Sequence, residues 1–191
     1  MLDKLLPKFK IVEINNVAAL RMGHVIAQTP AYVTGEGVKV AAKTVGDYKF
    51  VENGIIVGLD KTNRLANYVA TDHSQPCLVY TEELNTNGLL SGLDQFANQA
   101  DVNGEVYVRA LPLNLGDTFT TNNYTGSFAE GATEGWATVV DGVLSLQTEA
   151  AETTLFIAKK SNLPAGQEAV EFIYCGKVVT ATDADAGTDG E

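Results

Sequence analysis

Hydrolytic or metal chemistry would have to start from histidine, cysteine, serine and carboxylate side chains, and few of these crowd together in this chain. Asp72, His73 and Ser74 supply the three residue types of a hydrolytic relay. A relay needs hydroxyl, imidazole and carboxylate converging on one line. Consecutive residues send their side chains apart, and no Gly-x-Ser-x-Gly elbow presents the serine as a nucleophile. His73 and Cys77 have a workable zinc spacing, but His24 and Cys175 are remote, and Pro76 with the apolar run after Cys77 places that thiol in a core. Both cysteines read as small buried hydrophobes rather than as a metal or redox pair.

The remaining charged motifs fail on their own patterns. The tail from Asp183 through Asp185 to Asp189 has the look of a calcium loop. Gly187 occupies the third ligand position, Thr188 stands where glycine is required, and no distal glutamate follows, so the tail reads as a solvated acidic segment. Gly35 and Gly37 with Lys39 lack the strand-loop-helix setting and the Gly-Lys-Ser/Thr ending of a phosphate loop. Glu82 and Glu83 are adjacent carboxylates without a cleft to place them in. The expectation is a protein that is not an enzyme, with no catalytic residue, no metal and no cofactor.

The elements that would have to carry such residues are strands. The clearest stretch runs from Gly104 to Asn123: Val106, Val108 and Ala110 alternate with Glu105, Tyr107 and Arg109, then Gly116 and Asp117 turn the chain into Thr118–Thr121. Asn53-Gly54 between Tyr48–Glu52 and Ile55–Leu59 predicts a tight hairpin, as does Asp141-Gly142 between Trp136–Val140 and Val143–Gln147. Further strands are expected at Ile11–Ile14, Tyr32–Thr34, Val38–Ala41, Leu78–Thr81, Thr154–Ala158 and Val170–Tyr174. Asp60 to Asn67 reads as a loop. One helix is expected, over about 88–98, where Leu89, Leu90, Leu93, Phe96 and Ala97 share a face behind an Asn87 cap.

Short strands punctuated by Gly, Asn, Asp and Pro define a mainly β chain, an antiparallel barrel or sandwich with that single helix. The expected division is a mobile N-terminal arm over 1–10, an N-terminal β region over 11–75, a C-terminal β barrel or sandwich over 76–179, and a disordered acidic tail over 180–191. No apolar run reaches the ~20 residues needed to cross a bilayer, and Glu13, Asn15 and Asn16 interrupt what would follow a signal peptide's basic start. The chain is therefore expected to be made and kept, or assembled, inside a cell.

Charge is distributed unevenly. Of the 191 residues, the first 70 hold nine Lys/Arg against six Asp/Glu, and the remainder four against eighteen, for a net of -11. A basic foot under an acidic body suits contact with an acidic surface, whereas nucleic-acid binding is disfavoured by the acidic total. Within the foot, Leu2, Leu5, Leu6 and Phe9 lie among Lys4, Lys8 and Lys10, and Pro7 breaks any helix, so the arm is expected to order on a partner.

Three stretches, Tyr48–Leu59, Val108–Asn122 and Gly142–Gln147, resemble patterns in structural proteins of tailed bacteriophages, namely head decoration or auxiliary capsid (cement) proteins. The resemblance covers about half the chain. It implies a virion protein assembled in the host cytoplasm and bound to the outside of the major capsid protein's shell. It implies too a homo-oligomer that clamps the shell through a terminal arm, here Leu2, Lys4, Leu5, Leu6, Lys8, Phe9 and Lys10, without nucleic acid or membrane. Two other readings stand beside it: a phage tail-tube or baseplate β protein that polymerises with itself, and a small carbohydrate-binding β module using Trp136 and Tyr124 as stacking surfaces.

Overall fold

The computed structural model describes residues 12–16, 26–32, 43–45, 48–60, 65–68, 75–80, 105–163 and 167–176. The arm over 1–10, the helix expected at 88–98, the strand expected at Val38–Ala41 and the tail over 180–191 lie outside the described residues. Among the described residues every regular element is a strand.

One sheet has seven strands: β1 (Val12–Asn16), β9 (Thr118–Thr121), β10 (Tyr124–Thr125), β11 (Glu134–Val140), β12 (Val143–Gln147), β13 (Phe156–Leu163) and β14 (Gln167–Tyr174), in the order β1-β9-β14-β13-β11-β12-β10. A second has five: β2 (Ile26–Tyr32), β5 (Ile56–Asp60), β6 (Leu65–Tyr68), β7 (Pro76–Val79) and β8 (Glu105–Pro112), in the order β2-β8-β7-β5-β6. The strands β3 (Lys43–Val45) and β4 (Tyr48–Phe50) form a separate hairpin. All ladders are antiparallel except that of β10 with β12, which is parallel.

Both large sheets curl. β9 and β10 are five inter-strand gaps apart along the seven-stranded sheet, roughly 24 Å if it were flat. Only Asn122 and Asn123 separate them in sequence, and three residue steps span at most about 11 Å. The sheet therefore bends until its far edge returns beside β9, and the Tyr124 ring on β10 reaches the Phe172 ring on β14 at 6.3 Å. The five-stranded sheet bends likewise, bringing its edge strands β2 and β6 near each other without a ladder between them. Neither sheet closes into a barrel; the architecture is two curled sheets packed on one another.

Alternation of side chains explains where the cores sit. Inside the seven-stranded curl, Phe119, Phe156 and Phe172 meet with ring centroids 5.9 to 6.2 Å apart, joined by Leu144, Ala137, Ala158 and Val170. Ile56, Leu78 and Leu111 from one face of the five-stranded sheet enter the same core. Their neighbours Val57, Cys77, Val79, Val106, Val108 and Ala110 point to the opposite face and form a second core with Val51 and Ile55. A sheet buried on both faces reads as continuous apolar runs, which is what Ile55–Val57 and Pro76–Val79 are. Val12 and Ile56 share the first core with residues beyond 76, so the expected regions 11–75 and 76–179 supply strands to the same sheets and the same core.

The two predicted hairpins have different outcomes. Asp141 (φ 49°) and Gly142 (φ 81°) make the turn that both positive angles demand, with Val140 opposite Val143. At Asn53-Gly54 the chain also turns, Gly54 having φ 87°, but the flanking strands do not pair: β4 pairs with β3, and β5 pairs with β6 and β7. The turn is instead tied across the molecule, Gly54 N donating to Val79 O (2.9 Å) and Ile56 N to Gly142 O (2.8 Å). The loop expected over Asp60 to Asn67 is corrected too, because Leu65–Tyr68 folds back on β5 as β6. Likewise β8 and β9, consecutive about the Gly116-Asp117 turn, belong to different sheets.

Candidate interaction surface

Asp72, His73, Ser74, His24, Gly35, Gly37, Lys39, Glu82, Glu83 and the acidic tail lie outside the described residues, as do all seven arm residues from Leu2 to Lys10. Among the described residues, no three His, Cys, Asp or Glu side chains gather as a metal site would require. No helix of the described residues is long and apolar enough to cross a membrane.

Both cysteines are free thiols. Cys77 is fully buried in the second core, as its setting predicts. Cys175 is only half-buried, at the end of β14 where the sheet stops covering it, and its Sγ donates to Leu155 O at 3.2 Å. Burial pushes the Cys175 thiol above its ordinary pKa, and hydrogen bonds from the backbone of Cys175 and Ile157 oppose that rise.

The two aromatics singled out as stacking surfaces do not converge. Tyr124 faces inward against the phenylalanine core, where burial, and after it the charge of Glu168, raises its phenol pKa. Trp136 precedes the inward-facing Ala137 on β11, so it stands on the outer face of the same sheet.

That outer face carries an ordered pattern of side chains. The ladders align one row across five strands: Thr118 (β9), Ile173 (β14), Ile157 (β13), Trp136 (β11) and Gln147 (β12). All five are partly exposed. Two residues further along, a second row reads Glu13 (β1), Thr120, Glu171, Lys159 and Glu134. Here Asn15 Nδ2 donates to both Thr120 Oγ1 (3.0 Å) and Glu171 Oε1 (2.9 Å), and Lys159 Nζ lies 3.3 Å from Glu134 Oε1. An apolar stripe thus runs beside a line of three carboxylates and one ammonium. Partly exposed apolar side chains rimmed by charge are the pattern found at surfaces that contact other molecules.

The stripe is hard to find in the sequence because its members come from positions 118, 136, 157 and 173 and meet only through strand register. The available signal is that Leu155–Ala158 and Val170–Tyr174 carry apolar residues on both parities, more than a strand with one solvated face needs.

At one end of the curl, Lys160 sits over the Phe128 ring, 5.6 Å from its centroid. Phe128 also packs against the inner core, so this contact closes the rim of the curl.

Compared with protein-family models, curated proteins and solved structures, the chain has no match.

Proposed function

We propose that this chain is a structural virion protein that binds the outer surface of a tailed-phage capsid and stabilises it, as a decoration or cement protein does. The observation that carries the reading is the division of charge, a basic amphipathic arm ahead of a strongly acidic β body. The fold adds a mechanical reason. β1 begins two residues after the arm and is laddered onto β9, with Val12 opposite Thr121 and Val12 itself buried in the core. Whatever the arm grips is therefore tied to the body.

In this reading Leu2, Leu5, Leu6 and Phe9 bury against the shell, Lys4, Lys8 and Lys10 meet its carboxylates, and the acidic body faces outward. The arm loses conformational entropy when it orders, so its apolar residues supply the affinity and its lysines the steering. The test is deletion of residues 1–10 followed by co-sedimentation with empty capsids. Loss of the truncated chain from the capsid pellet is expected. Undiminished binding removes the arm from the mechanism, and absence of binding by the full-length chain removes the function.

A further inference from the structure

We propose that the outer face of the seven-stranded sheet is where two copies of this chain meet, face to face, about a two-fold axis running along the strands between β13 and β14. The proposal goes beyond capsid attachment and does not depend on it. Two observations carry it: the partly exposed apolar stripe of Ile173, Ile157 and Trp136, and the order of charges in the row beside it.

The occupant follows from that order. Lys159 and Glu171 are opposite each other on adjacent strands, one on each side of the proposed axis. Rotation about the axis places Lys159 of one copy over Glu171 of the other, and the reverse, while Ile157 falls on Ile173 and Trp136 on Thr118. The rotation thus makes the central pair of opposite charges complementary to itself, while Glu134 falls on the uncharged Thr120. Within one copy Lys159 is satisfied only at the surface, its side chain 41% and that of Glu134 65% exposed, and such a pair holds it weakly. Glu171 is oriented by Asn15 and so presented at a fixed position. A glycan fits less well, because along its row only Gln147 beside the tryptophan offers hydrogen bonds, and on the other side the row continues through Ile157 and Ile173.

Size sets the strength. Four inter-strand gaps make the face about 19 Å wide and its two side-chain rows make it about 14 Å long, roughly 270 Å² per copy. A stable interface covers about 800 Å² on each partner, so the pair is a reversible one in solution. It becomes populated when copies are held close together, since a second contact between tethered molecules forms at high effective concentration.

Sedimentation equilibrium of the full chain, from about 10 µM to about 1 mM, tests this, with mass rising toward twice the monomer's. Trp136 is the sole tryptophan, so its emission should shift to the blue over the same range. Ile157→Glu should abolish both changes while leaving the circular dichroism spectrum and melting temperature near those of the parent. Lys159→Glu or Glu171→Lys alone should weaken association about tenfold, and the double variant should return to within about threefold of the parent. A chain that stays monomeric at the highest concentration overturns the proposal. So does association indifferent to Ile157→Glu, or a double variant no better than either single one. A Trp136 shift caused by added oligosaccharide in a chain that remains monomeric assigns the face to a glycan instead.

Discussion

The side-chain amide of Asn123 donates to the main-chain carbonyl of Asn53 at 2.8 Å, fastening the turn before Gly54 to the segment that joins β9 to β10. The fastening brings Gly54 so close to that segment that an added Cβ would lie 2.7 Å from Thr121 Oγ1 and 3.1 Å from both Asn123 Cβ and Val12 Cγ2. β1 and the segment from β9 to β10 thus converge on one glycine.

Gly54→Ala should consequently be among the more damaging single-atom-group changes in the molecule. The left-handed backbone costs an alanine about 1–2 kcal/mol and forced overlap in a filled site about 1–3 kcal/mol more. Urea denaturation followed by circular dichroism should show a loss of about 2–5 kcal/mol, with an unchanged slope. A loss below about 1 kcal/mol would mean that the turn shifts freely and is not fastened as described.

Phe172 touches Phe119, Phe156 and Tyr124 and is wholly buried, so Phe172→Ala opens a cavity at the centre of the seven-stranded curl. The expected cost is about 3–5 kcal/mol. Phe172→Leu should cost clearly less by the same measurement, because most of the volume remains. Equal losses for the two would point to ring geometry rather than filling as the source of stability.

Alkaline solution should lower the stability of the protein. Burial raises the pKa of Cys175, Tyr174 and Tyr124 above the ordinary values of 9.0, 10.0 and 10.0, with the Cys175 charge adding to the rise at Tyr174 and Glu168 to that at Tyr124. Each group ionises first in the unfolded chain, which then binds fewer protons than the folded one. Stability from this source is complete below about pH 9 and declines as pH climbs through the folded values. Thermal melts from pH 7 to 11 should show the decline, and Cys175→Ser should move its onset upward. A flat melting temperature across that range would contradict the assignment.

Much of the strand set is legible in the sequence because β structure with one covered face alternates. Val106, Val108 and Ala110 face the second core as their spacing predicts, and Asp141-Gly142 closes a hairpin because two positive φ angles leave little else that those residues can do. Asn53-Gly54 misleads for a physical reason. Its local chemistry is satisfied by any tight turn, while strand pairing is decided by the rest of the fold, which puts β4 and β5 in different sheets. β6 is overlooked because Leu65, Ala66, Asn67 and Tyr68 make too short a run to show a period.

The interaction surface is legible only in part. Trp136 stands out by type, yet its partners Ile157 and Ile173 look like core residues, and only register separates the two faces of β13 and β14. Pairing Trp136 with Tyr124 as stacking surfaces fails on the same ground, since parity alone sends the two rings to opposite sides of one sheet.

Placement of β14 between β9 and β13 bears on synthesis. The last described strand to leave the ribosome is an interior one, and until Gln167–Tyr174 has emerged β1 and β9 have no ladder to β13, β11 and β12. A nascent chain halted before residue 167 therefore holds two unjoined fragments with their phenylalanines uncovered. Joining of the seven-stranded sheet thus waits for β14, and termination before that strand yields substrate for chaperones and proteases rather than a smaller working protein.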